Sequence, residues 1–140
     1  MNRQIRNFLL FSILGMFVST GAIVAAAQSA SEARLLERAT SYWDAAKVRD
    51  FSTMYGMEAA AAQGTLSPAE VKKALGTSKI VGYEFSDIEM TGETAVIVVE
   101  ARYSLPGLRS TFTDKRRDEW VFLEEDWYHR LRTTTPGARQ

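Results

Sequence analysis

The chain has no cysteine and one histidine among its 140 residues. The missing thiols exclude a disulfide framework, a thiol nucleophile and a lipidated amino-terminal cysteine. With a single histidine and no pair of acids at a ligand spacing, no metal and no cofactor is expected. The sequence also lacks a G-x-S-x-G elbow, a phosphate-binding loop and a dinucleotide fingerprint. Charge of one sign is missing too: 17 basic residues meet 17 acidic ones. Without a basic surplus, no nucleic-acid partner is expected. The densest basic run, "DKRRDEW" from Asp114 to Trp120, has acids on both sides and reads as a solvated strand face.

The even balance hides an asymmetry. Arg3 and Arg6 fall in the first 27 residues, which hold no acid, so the remainder carries about −2. Phe8 to Val18 is apolar, Ser19, Thr20 and Gly21 loosen the pattern, and Ala25 and Ala27 supply small residues before Gln28. That order predicts a signal peptide over 1–27, cleaved after Ala27, and a domain that is exported, periplasmic or secreted. The rival is an uncleaved anchor, because residues 8–27 form a charge-free stretch just long enough to span a bilayer. A membrane partner is expected only in that case.

Beyond Ser29 a helical period takes over. Leu36, Ala39, Trp43 and Ala46 recur at three- and four-residue spacing, widened by Leu35 and Tyr42. Asp50 is placed to cap a second, shorter helix holding Phe51, Met54, Tyr55 and Glu58. "LSPAEVKKAL" carries a third: Ser67 as cap, Pro68 in the first turn, Glu70 closing a capping box and Gly76 as the stop. "AAAAQG" between them is helix-prone but featureless.

After Lys79 the period drops to two. Val81, Tyr83 and Phe85 alternate, then Ile88 and Met90 after a slip. "TGET" turns the chain. Ala95, Ile97, Val99, Ala101 and Tyr103 form one apolar strand face, and Val96, Val98, Glu100 and Arg102 the other. A last hairpin turns around Glu124, Glu125 and Asp126. A two-residue loop would gather Trp120, Phe122, His129 and Leu131; a three-residue loop would gather Val121, Leu123, Trp127, His129 and Leu131. Residues 134–140 read as a disordered tail. The fold class is α+β: three amino-terminal helices packed on a curved antiparallel sheet of about four strands, preceded by the signal or anchor.

The pieces "YWDAAKVRDFSTMYGM", "TGETAVIVVEARY" and "RDEWVFLEEDWYHRL" resemble the nuclear transport factor two-like superfamily, which includes SnoaL-like cyclases and ketosteroid isomerase. The resemblance covers a domain of residues 28–133. It implies a cystatin-like cone, a half-barrel wrapped around the first helix with a pocket at the wide end, and often a homodimer. Fold alone does not assign function, since the same cone serves enzymes, binders and scaffolds.

Enzymes of this family use a carboxylate base in an apolar pocket with a phenol or acid for the oxyanion; others use an Asp-Arg-Asp set around a water. The candidates here are Tyr42, Tyr55 and Asp118, with Glu100 and Arg102 sharing one strand face and joined by Asp118 if it lies beside them. Against that stands a cross-strand charge pair on a solvated face. His129 shows no nucleophile or carboxylate beside it in sequence and reads as structural. Asp50 reads as a cap and Asp44 as a surface acid. Trp43, Tyr55, Tyr83 and Trp120 are the expected ligand-binding aromatics, and Trp43 serves equally as core. The expected function is non-enzymatic binding of a small apolar ligand or a protein partner. The alternatives are a small isomerase or cyclase, or a membrane-anchored assembly subunit.

Overall fold

The computed structural model describes residues 20–107 and 109–131, with side chains from Ser31 onward. The apolar leader and the carboxy-terminal tail therefore fall wholly or largely outside the described residues. Four helices come first: α1 (Thr20–Val48), α2 (Phe51–Gly56), α3 (Ala59–Ala62) and α4 (Pro68–Leu75). Four strands follow: β1 (Lys79–Thr91), β2 (Thr94–Ser104), β3 (Thr111–Leu123) and β4 (Asp126–Arg130). They form an open antiparallel sheet in the order β1-β2-β3-β4. The three expected helices are thus four, because the alanine run forms a short helix of its own. Among the described residues no helix is long and apolar enough to cross a membrane.

Local chemistry fixes most element ends. Asp50 accepts the Thr53 backbone N–H at 3.0 Å and the Thr53 hydroxyl at 2.7 Å, so it caps α2. These bonds favour the carboxylate, with the Thr53 hydroxyl contributing most, and hold its pKa below the usual range. Ser67 and Glu70 close the capping box of α4, and Gly76 ends that helix at a φ of 63°. Glu124 and Glu125 both take positive φ (48° and 69°), as a two-residue turn demands. Leu123 therefore faces Asp126, Phe122 faces Trp127 and Trp120 faces His129. The hairpin has the two-residue loop of the open alternatives.

The core lies between α1 and one face of the sheet. Leu35, Ala39, Tyr42, Trp43 and Ala46 bury the helix stripe, centred one position earlier than Leu36. Ala95, Ile97, Val99, Ala101 and Tyr103 answer from β2, all buried. On β1 the slip is a register shift between Phe85 and Asp87. A second shift, between Ile80 and Gly82, turns Ile80 inward and leaves Val81 41% exposed, against the alternation expected for Val81. Gly82 has a further reason to be glycine: a Cβ there would lie 2.7 Å from Arg102 Nη2. Bidentate Arg34–Asp126 bonds, both 3.0 Å, tie α1 to the β3–β4 turn, and Arg38 donates to the Trp127 carbonyl.

Candidate functional site

β3 carries the site. Its register puts Phe112, Asp114, Arg116, Asp118, Trp120 and Phe122 on the face shared with the buried residues of β2. From Asp114 to Arg117 the "DKRRD" run is exposed, as expected of a solvated strand, and only Asp118 is buried. Lys115 and Arg117 lie on the outer face, and Arg117 crosses over β2 to reach Glu89 at 2.9 Å. Arg116 and Asp118 lie on the core-side face, with Arg116 still exposed at its rim. Asp118 does lie beside β2, but opposite Ile97 and away from the outward Glu100 and Arg102. The expected Glu100–Arg102–Asp118 cluster does not form, because the three belong to opposite faces of the sheet.

Asp118 joins a buried polar cluster instead. Its Oδ2 accepts the Trp43 indole N–H at 2.8 Å and faces His129 Nε2 at 3.7 Å. His129 Nδ1 lies 2.8 Å from Glu58 Oε1, which also accepts the Tyr42 hydroxyl at 2.7 Å. Glu58 Oε2 accepts the Leu131 backbone N–H at 3.0 Å. Glu58 is fully buried, and Asp118 and His129 are each 6% exposed. The backbone explains how Glu58 gets there. α2 stops at Gly56, Glu58 is extended (φ −88°, ψ 130°), and it bridges His129 while Met57 O accepts the His129 N–H at 2.8 Å. This segment covers the outer edge of β4.

The electrostatics favour an imidazolium. Burial alone would lower the His129 pKa, but its contacts with Asp118 and Glu58, and their charges, outweigh it and raise the value to about 9. The cation then sits between two carboxylates, donating from Nδ1 to Glu58 and facing Asp118 from Nε2 across 3.7 Å. Burial, followed by the nearby Glu58 charge, pushes the Tyr42 phenol well above its usual pKa, so Tyr42 remains a donor. Tyr42 also stacks on the His129 ring at 4.2 Å. Trp120 meets both rings edge-on, at 5.9 Å and 5.3 Å, with its indole N–H lacking a hydrogen-bond partner.

One cavity adjoins this cluster, and a groove lies beyond it. The inner one, about 40 Å³, is bordered by Tyr42, Trp43, Met54, Arg116, Asp118 and His129. That is room for a water or two, not for an organic ligand. The outer groove, about 210 Å³, lies between the end of α4 and the far end of the β2–β3 hairpin. Leu75, Tyr103, Phe112, Asp114 and Arg116 line it. Its α4 side is braced by Arg49, which donates to the carbonyls of Ser78 and Gly76. Leu75 and Arg116 border both cavities. The Arg116 guanidinium lies 5.2 Å over the Trp43 ring and 5.7 Å over the Tyr103 ring, and it donates to the Tyr103 hydroxyl. None of the ion pairs formed within 4.0 Å among the described residues includes Arg116.

The expected site residues are therefore divided. Trp43, Tyr42 and Asp118 meet at the inner cavity. Tyr55, Tyr83 and Trp120 border neither cavity. Tyr55 packs against the core from α2, and Tyr83 packs on Trp43 at 5.6 Å while donating to Asp44 at 3.0 Å. Glu58, a helical position in the sequence reading, is a buried acid, and His129 has two carboxylate neighbours: Glu58 from 71 residues away and Asp118 from the adjacent strand of its own hairpin. Arg116 sits in the sequence within a charged run, which gives no sign of its place at the groove. Among the described residues no group of three such side chains is arranged to hold a metal ion.

No family model matches this sequence, and no curated protein matches it. Solved structures do match its shape. A SEC-C motif containing protein from Rhodopseudomonas palustris aligns at a TM-score of 0.54 and 12% identity, over 64% of this chain and 69% of that one. Another from Psychrobacter arcticus aligns at 0.51 and 13%, over 69% of this chain and 58% of that one. Both likenesses concern the fold alone. An NTF2-like transpeptidase from Campylobacter jejuni aligns at 0.42 and 11%, over 64% of this chain and 91% of that one.

Proposed function

We propose that this chain is a small-ligand-binding domain of the nuclear transport factor two-like kind, and that its ligand lies in the outer groove with an anionic group on Arg116. The observation that carries this reading is the state of Arg116. Its guanidinium lies over the Trp43 and Tyr103 rings and donates to the Tyr103 hydroxyl; the Asp118 and Asp114 charges act on it, yet among the described residues no carboxylate lies within 4.0 Å of it. A planar fork of donors fixed at a groove wall suits a carboxylate. The rest of the lining, Leu75, Tyr103 and the half-exposed Phe112, suits an apolar body. This reading adds a charged head to the small apolar ligand expected from the sequence.

The test is a nuclear magnetic resonance titration of the protein with 3-phenylpropanoate and with L-phenylalanine, each a carboxylate carrying a ring. Signals of Tyr103 and Phe112 should move with at least one of them, and Arg116→Gln should weaken that binding at least tenfold. Silence from both compounds, or full affinity in the variant, would contradict the reading.

An enzymatic reading is favoured by one observation: Asp118 borders a cavity of about one water's size beside Arg116. In that reading Asp118 is the base. Tyr42, whose hydroxyl is engaged by Glu58, and Tyr55, which borders neither cavity, take no part. Turnover of any bound compound that disappears in Asp118→Asn while binding persists would favour it over simple binding. Export remains a proposal resting on Arg3, Arg6 and the apolar stretch. A mature mass beginning at Gln28 would support it, and a full-length chain in the membrane fraction would favour the anchored subunit.

A further inference from the structure

From the groove's charge pattern we infer that the ligand is a zwitterion: a free α-amino acid with an aromatic or large aliphatic side chain. This rests on the groove reading above and narrows it. Asp114 and Arg116 lie two residues apart on one face of β3, which spaces their backbones by about 7 Å. Both line the groove, and no ion pair within 4.0 Å joins them. Nor does Asp114 take part in any other such pair among the described residues. The groove wall thus offers a cation and an anion that feel each other's charge but close no salt bridge within 4.0 Å among the described residues, so a ligand can come between them.

A purely apolar ligand would cover both charges and give neither a partner, which is unfavourable. A simple carboxylate would satisfy Arg116 but bring its charge towards Asp114, with Asp118 close behind the guanidinium. A simple amine would meet the reverse difficulty at Arg116. A zwitterion resolves both conflicts, with its carboxylate on Arg116 and its ammonium on Asp114. The size agrees. About 210 Å³ falls below the roughly 300–1,000 Å³ of sites for drug-sized ligands and suits a compact metabolite. The side chain has a surface waiting for it: Phe112, 44% exposed, is held flat by stacking on Tyr103 at 5.2 Å and 17°.

The experiment compares L-phenylalanine, 3-phenylpropanoate and phenethylamine by calorimetric or resonance titration, on the protein and on Asp114→Asn. Asp114 is exposed on its strand, so the substitution leaves the core untouched. L-phenylalanine should bind at least tenfold more tightly than either single-charge analogue. Asp114→Asn should erase that preference, lowering phenylalanine affinity and leaving 3-phenylpropanoate unchanged or improved. Equal affinities for phenylalanine and phenylpropanoate, or a preference untouched by Asp114→Asn, would overturn the zwitterion while sparing the groove. A preference for phenethylamine would overturn the zwitterion and the role given to Arg116. No binding of any of the three would overturn this inference and the groove reading together.

Discussion

The inner cluster and the outer groove share a strand and differ in how far their charges are satisfied. In the cluster, Glu58 takes up three donors, Asp118 takes the Trp43 indole, and His129 sits between the two acids. Little is left over for a ligand. A few ångströms along β3, Arg116 lies over two rings and donates to the Tyr103 hydroxyl, and among the described residues neither it nor Asp114 forms an ion pair within 4.0 Å. The lesson is that burial and chemistry point different ways. The buried polar groups of the cluster act as structural ties, joining α1, the α2–α3 junction, β3 and β4. The exposed pair at the rim is open to a partner from solution.

The sharpest way to break this comparison is to remove the hub of the cluster. Glu58→Ala leaves the Tyr42 hydroxyl, the Leu131 N–H and a buried imidazole without their acceptor. The expected cost is about 3–5 kcal/mol, read from urea denaturation. A loss below about 1 kcal/mol would mean that the cluster does not tie the fold.

Next in size is a pH effect. The His129 pKa is raised in the folded chain to about 9, from 6.5. The folded state therefore holds a proton that the unfolded state releases first. That contribution is complete below about pH 6.5 and is lost as pH rises through 9, with an upper bound on the order of 3 kcal/mol. Glu58, Asp118 and Tyr42 surround the imidazole, and the phenol remains protonated across this window. Denaturation midpoints should fall between pH 6.5 and 9, and the slope should flatten in His129→Gln.

Smaller effects sharpen the contrast with ordinary surface chemistry. Asp50→Ala should lower the urea midpoint modestly through loss of the α2 cap, with binding in the groove unchanged. Arg117→Ala, which breaks a half-exposed pair with Glu89, should move the midpoint less still.

Much of the frame was legible before any coordinates. Local signals gave the Asp50 cap, the Ser67–Glu70 box, the β2 alternation and the slip in β1, because each depends on neighbours within a few residues. The site was less legible for a physical reason. Glu58 meets its histidine 71 residues along the chain. In the sequence it reads as one more helical position after Phe51, Met54 and Tyr55, whereas the helix ends at Gly56. An acid spaced to join the apolar stripe of Met54 was the available clue. On β3, strict alternation puts Asp114, Arg116 and Asp118 on the core-side face, where only Asp118 is buried, and Lys115 and Arg117 on the other. Treating the run as one charged patch concealed both. The hairpin register needed the turn, where two consecutive glutamates take positive φ that residue type alone does not announce.

The most direct test is urea denaturation of Arg116→Gln without ligand, beside Glu58→Ala. If the groove cation serves recognition and the cluster serves the fold, Arg116→Gln should lie within about 1 kcal/mol of the parent chain. Glu58→Ala should fall well below both. Arg116→Gln falling as far as Glu58→Ala would contradict the account, because Arg116 would then belong to the structural charge balance and not to the groove.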